Sequence, residues 1–149
     1  RLVAVSRVKI VIPERDPDFR VRIPVRISDL NYGKHLANDR LVAVLHEARV
    51  QHFVQHGCKD DLDFFGIGLI QADLAVAFRS EAFFNEMLEV SLFIEDHTPK
   101  SFAVYYQINE ADSGRLVATA RTGMVAFDYG SRSVAAFPET VPALFRLPR

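Results

Sequence analysis

Apolar and polar residues alternate from Phe19 onward: Phe19, Val21, Ile23, Val25 and Ile27 stand against Arg20, Arg22, Pro24, Arg26 and Ser28. Period two predicts a strand with one buried face, because successive side chains leave a pleated backbone on opposite sides. Pro24 has no N–H for a ladder bond, so the strand is expected to be bulged there or to lie at a sheet edge. Ahead of it, Val8 to Ile12 is a short apolar segment and Pro13 to Asp18 a polar break. Asn31-Tyr32-Gly33 then ends the alternation with turn chemistry. From Leu41 to about His56 the spacing is helical, with Asn38 or Asp39 as candidate N-cap and Gly57 as the stop. The first turns, Leu41-Val42-Ala43-Val44-Leu45, are apolar all round, which predicts a helix buried on most sides.

After Asp63 the pattern returns to strands over Gly68–Phe78, Met87–Glu95, Phe102–Asn109 and Leu116–Phe127. Asp112-Ser113-Gly114 forms the tight turn between the last two. A short helical turn is expected near Val141 to Phe145. The order is strand, buried helix, then an antiparallel meander, which is the α+β class. One strongly curved sheet of about five strands around one long helix meets the need of an apolar helix for cover. The chain is expected to be a single domain over 1–149, with its core over about 19–130.

Composition narrows the partners. Hydrophobic residues make up 49 % of the 149, enough for a core. Basic and acidic residues balance at 18 and 19, so nothing in the charge points to nucleic acid or an anionic membrane. No apolar run approaches the roughly 20 residues of a membrane span. The start, Arg1 to Ser6, is too short for a secretory apolar region. A single cysteine, Cys58, leaves no internal disulfide; the expected setting is reducing and cytoplasmic.

One stretch resembles a known family. Arg26-Ile27-Ser28-Asp29-Leu30-Asn31-Tyr32-Gly33-Lys34-His35-Leu36-Ala37-Asn38, followed by His46-Glu47-Ala48-Arg49, is similar to the R-x-S-D-x-D-x-x-G-H-x-N-N stretch of 4-hydroxybenzoyl-CoA thioesterase-like proteins. Phe78-Arg79-Ser80-Glu81-Ala82-Phe83-Phe84-Asn85-Glu86-Met87-Leu88-Glu89-Val90 resembles their aromatic-x-x-P-A-x-F-G-D-x-L-x-V stretch, and Ala118 to Asp128 their last strand. The resemblance implies the hotdog fold and an acyl-CoA or acyl-carrier thioesterase without cofactor. It also implies a homodimer or dimer of dimers, with the acyl site between subunits. The chain departs from the pattern at Asn31, where the family usually has its catalytic Asp, and at Gly33-Lys34, where the Gly before His is displaced. An amide is neither nucleophile nor general base, though it can hold a water or a thioester oxygen.

Thioester hydrolysis needs a group to activate water and donors for the developing oxyanion. The resemblance implies a backbone N–H at the helix start as donor, matched here by Asn38, where the helix dipole favours negative charge. Glu47 is the preferred carboxylate; on a helix it shares a face with Arg40, Val44 and Gln51. Its plainer reading is a solvated or Arg40-paired Glu. His35 is a candidate base or orienter of water. Asp29 is expected to fix the loop, and Tyr32 to line the acyl pocket or simply to pack. His52 and His56 lack a third ligand, so no metal is expected. Cys58 lacks a nucleophile context. Closure of the acyl cavity is expected to depend on Phe53, Phe64, Phe65 and Ile70. A non-catalytic acyl-CoA-binding module is the alternative function, and a hydratase a third; release of free thiol separates them.

Overall fold

Strand β1 covers Phe19–Pro24 and pairs antiparallel with β3 alone, so it is an edge strand, as Pro24 requires. The computed structural model describes residues 6–60, 62–141 and 143–145. Arg1 to Val5 and the last residues of the tail lie outside them. Helix α1 (Asn38–Gln55) follows, then β2 (Gly68–Phe78), β3 (Met87–Glu95), β4 (Ser101–Glu110), β5 (Leu116–Asp128) and the short β6 (Ser133–Val134). The curved antiparallel sheet runs in the order β1-β3-β4-β5-β2, with β6 added beside β5. β2 thus forms the other long edge.

The inner face of the sheet is the apolar half of the alternation. Leu88, Val90 and Leu92 of β3, Val104, Tyr106 and Ile108 of β4, and Ala118 and Ala120 of β5 have no exposure. Against them α1 sets Leu41, Val44, Leu45, Ala48 and Phe53. At one end an aromatic cluster joins Phe53, Phe64, Phe102 and Phe137 to Phe145, which lies on a short 3-10 turn at Ala143–Phe145. Phe53 and Phe64 are therefore packing residues of the core.

Three local expectations are corrected. The alternation continues to Ile27 in sequence, but the strand stops at Pro24 and Ile27 is 68 % exposed. The cause is Asp29: its carboxylate accepts the Arg26 N–H at 2.8 Å and folds residues 27–29 into a 3-10 turn. The N-cap of α1 is Ala37, without a side-chain cap, and Asn38 is its first helical residue. Lastly, α1 is not buried on most sides. One face is buried, while Ala43, His46, Glu47 and Gln51 face outward. Its buried face includes the polar Arg49 and His52, which is why apolar and polar residues fail to segregate around it.

Candidate functional site

The loop between β1 and α1 is a miniature hairpin. Leu30 bridges Leu36, and the Asn31 N–H donates to the His35 carbonyl at 3.0 Å. The Asn31 side-chain oxygen accepts the Gly33 N–H at 2.9 Å, and the Lys34 N–H donates to the Asn31 carbonyl at 2.9 Å. Asn31 thus does what Asn does in turns, holding its own backbone two residues on. Lys34 carries the positive φ of 62° that closes the loop. Beside it Gly33 leaves room for the His35 ring, which a Cβ there would approach to 3.0 Å.

Two further bonds aim the loop. The Ala37 N–H donates to the Asp29 carbonyl at 3.0 Å, and the Leu36 N–H donates to the Ala82 carbonyl at 2.8 Å. The second ties the loop to the connection between β2 and β3, which carries Glu81. Asp29 is buried, with its carboxylate engaged by the Arg26 backbone and 3.5 Å from the Arg26 guanidinium. Tyr32 is fully exposed at the tip.

The candidate residues divide between two cavities. A cavity of about 240 Å³ opens at the start of α1, lined by His35, Leu36, Asn38, Leu41, Phe78 and the stretch 79–82, with Val117 behind. It is largely apolar, as an acyl group would need. His35 Nε2 lies 3.7 Å from Glu81 Oε1, and His35 Nδ1 lies 3.2 Å from the Leu36 carbonyl. Because no side chain caps α1, the first backbone amides of the helix are left for a ligand or water, and the helix dipole adds positive potential there. The site can therefore offer an imidazole, a carboxylate and oxyanion donors in one apolar cleft.

A second cavity, of about 450 Å³, lies between the β1 edge and the outward face of α1. Arg40, Val44, Glu47 and Gln51 all line it, the same face the helical spacing sets out, together with Asp29, Arg22 and Arg26. Glu47 accepts a hydrogen bond from Gln51 at 2.8 Å. Glu47 and Asp29 therefore share one cavity, while His35 and Asn38 share the other; Asn31 and Tyr32 line neither.

Glu81 was not singled out from sequence. The available signal was its place in the aromatic-x-x-P-A stretch, where a carboxylate stands at the position of Pro. Cys58 is buried, donates to the Asp60 and Asp63 carbonyls, and its thiol is pushed up by burial, which suits packing rather than nucleophilic attack. Among the described residues no group of three or more His, Cys, Asp or Glu is placed to hold a metal. Nor is any helix among them long and apolar enough to cross a membrane.

Solved structures share this architecture. A 1,4-dihydroxy-2-naphthoyl-CoA thioesterase from Synechocystis is 20 % identical with a TM-score of 0.70, over 86 % of this chain and 95 % of that one. A Staphylococcus aureus protein solved in complex with CoA is 16 % identical with a TM-score of 0.78, over 91 % and 86 %. A gentisyl-coenzyme A thioesterase is 17 % identical with a TM-score of 0.73, over 83 % and 98 %. Comparison with curated proteins returns no match. Residues 25–145, a span that holds the loop, α1 and β2 to β6, match the Thioesterase-like superfamily. The chain belongs to that superfamily and is a thioester hydrolase with the hotdog fold.

Proposed function

We propose that the chain hydrolyses a CoA thioester in the cavity at the start of α1, with His35 activating water and the first amides of α1, at Asn38, receiving the oxyanion. The observation that carries this reading is the meeting of His35, Glu81 and the uncapped helix N-terminus in one apolar cleft. The CoA carrier is supported by the structural neighbours, two of which act on aromatic acyl-CoA and one of which holds CoA. Asn31 and Asp29 build the loop that presents His35, and Tyr32 at its tip is free to meet substrate or partner. We take the chain as one domain acting in the cytoplasm, as a homodimer or dimer of dimers.

The exposed edge of β2 supports the dimer. Among the described residues no strand pairs with the outer edge of this long strand, and Leu74 and Phe78 on it are exposed. Antiparallel pairing of β2 with its copy would run the start of the partner's strand beside Phe78 and Arg79, which line the His35 cavity. The acyl site would then be closed by the partner.

Free-thiol release from short, medium, long and aromatic acyl-CoAs tests the function. His35→Gln should lower kcat by about 10²- to 10⁴-fold, the contribution of a general base. Binding without any release would leave only an acyl-CoA-binding protein.

The second cavity supports one other assignment of the chemistry. Arg22, Arg26 and Arg40 surround Glu47 there, so an anionic carrier could bind beside a carboxylate. In that reading Glu47→Gln, not His35→Gln, abolishes turnover, and the two variants assayed side by side decide between the cavities.

A further inference from the structure

His35 is held in a defined orientation. The Leu36 carbonyl can only accept, so the ring nitrogen 3.2 Å from it, Nδ1, is the one that carries hydrogen in the neutral ring. Nε2 is left with its lone pair, and Glu81 Oε1 stands 3.7 Å from it at the edge of the cavity that both residues line. The main chain at Glu81 is clamped although its side chain is exposed. The Ala82 carbonyl receives the Leu36 N–H, and the Glu81 carbonyl receives the Arg115 guanidinium at 3.1 Å. Arg115 is itself fixed by Glu86 at 2.8 Å, and Ser80 Oγ donates to the Leu116 carbonyl at 2.7 Å. The main chain that carries Glu81 is therefore held beside the His35 loop by bonds reaching to β5, and the carboxylate extends from it toward the ring.

We propose that Glu81 is the positioning residue of this site, compensating the charge that the His35 imidazole gains during hydrolysis and holding the ring once Nε2 is protonated, in place of the acid absent at Asn31. The role rests on the reading of His35 as the base. Water attacks the thioester carbon and forms the new C–O bond, while its proton passes to His35 Nε2. The carbonyl electron pair moves onto oxygen, facing the α1 amides. When that pair returns, the C–S bond breaks and the proton on His35 passes to the departing sulfur. Acid and thiol result, and Glu81 keeps its charge throughout. Arg79 from the β2–β3 connection lines the same cavity, and Arg115, just ahead of β5, is paired with Glu86. Among the described residues Glu81 is the carboxylate that stands within 4 Å of the ring, where it can offset an imidazolium. Exposure screens the pair in the free protein, but acyl substrate filling the cleft excludes water and strengthens it.

The test is a double-substitution cycle on thiol release. Glu81→Gln should lower kcat by about tenfold or more, part of the 10²- to 10⁴-fold range of a general base, with KM within about twofold. Glu81→Asp should recover part of the loss. In a His35→Ala background Glu81→Gln should cost nothing further, since its effect passes through the ring. An active wild type that needs His35 but not Glu81 overturns this role alone. So does an equal loss from Glu81→Gln with and without His35. A wild type inactive on every acyl-CoA overturns the hydrolytic reading and this role together.

Discussion

His52 has no exposure, and neither of its ring nitrogens has a hydrogen-bond partner among the described residues. It stacks on Phe19 at 5.1 Å, with the His56 ring edge-on at 5.0 Å. Burial holds its imidazole well below the usual range, at about 4; His56 adds to the shift and Asp18 opposes it. The folded chain therefore refuses a proton that the unfolded chain accepts below about 6.5. Stability is unaffected by His52 above that pH and falls as pH drops from about 6.5 toward 4. Between pH 7 and 5 the loss should be about 2 kcal/mol from this residue. Urea unfolding at the two pH values checks it: His52→Leu should be flatter than wild type by that amount. Equal slopes would mean that His52 finds a proton acceptor when charged. Glu110 does not interfere with this comparison. Hydrogen bonds from the Ser113 and Asp112 backbone hold its carboxyl below 4.5, so its contribution is present above that value and lost only in stronger acid.

At the scale of elements, α1 and the sheet are joined by a polar contact inside an apolar core. Arg49 is buried and donates from Nη1 to the Tyr106 hydroxyl at 3.1 Å, while Tyr106 and Thr122 share a hydrogen bond of 2.7 Å. Arg49 Nε has no partner, and no acid among the described residues forms an ion pair with it. Desolvation of a lone guanidinium is costly, so Arg49→Met should be neutral or stabilising by about 1–4 kcal/mol. Tyr106→Phe should do the reverse. It strips Nη1 of its acceptor and should cost about 1–3 kcal/mol. Denaturant midpoints of the two variants should move in opposite directions; parallel destabilisation would show that the guanidinium contributes more through packing than it loses by desolvation. The sequence shows a helix here, with Leu41, Val44, Leu45 and Ala48 at helical spacing. It does not show that Arg49 and His52 lie inward, because charge and polarity argue the opposite. Only the partners on β1, β4 and β5 explain their place.

At the scale of the molecule, the two long edges of the sheet differ. β1 is short, ends in Pro24 and is flanked by arginines; β2 is longer and carries exposed Leu74 and Phe78. Natural edges are usually blunted by charge, proline or shortness, and β2 is blunted mainly by its bulge between Gln71 and Asp73. There Asp73 accepts the Gly123 N–H at 2.8 Å and pairs with Arg121. Light scattering should therefore give twice the 16.8 kDa of the chain for the dimer, or four times for a dimer of dimers. Leu74→Glu, which sets like charges near each other across a two-fold, should weaken association by at least about tenfold. It should lower thiol release in parallel if the partner closes the site. A monomeric wild type at micromolar concentration would overturn this assembly and leave the His35 cavity open to solvent.

Sequence by itself determined most of the elements and several of their faces. Period two marks Phe102, Val104, Tyr106 and Ile108 as one inward row, and these four are buried. Helical spacing groups Arg40, Val44, Glu47 and Gln51, and these four line one cavity. Turn chemistry marks Asn31-Tyr32-Gly33, and Asn31 closes that turn. Such features depend on neighbours a few residues apart, where backbone geometry and side-chain type act directly. Tertiary structure decided which of these faces meet. It separated Glu47 from His35 by giving the helix face and the loop to different cavities. It brought Glu81 to His35 across the Leu36–Ala82 hydrogen bond, a juxtaposition fixed by strand pairing and carrying no local signal in the chain.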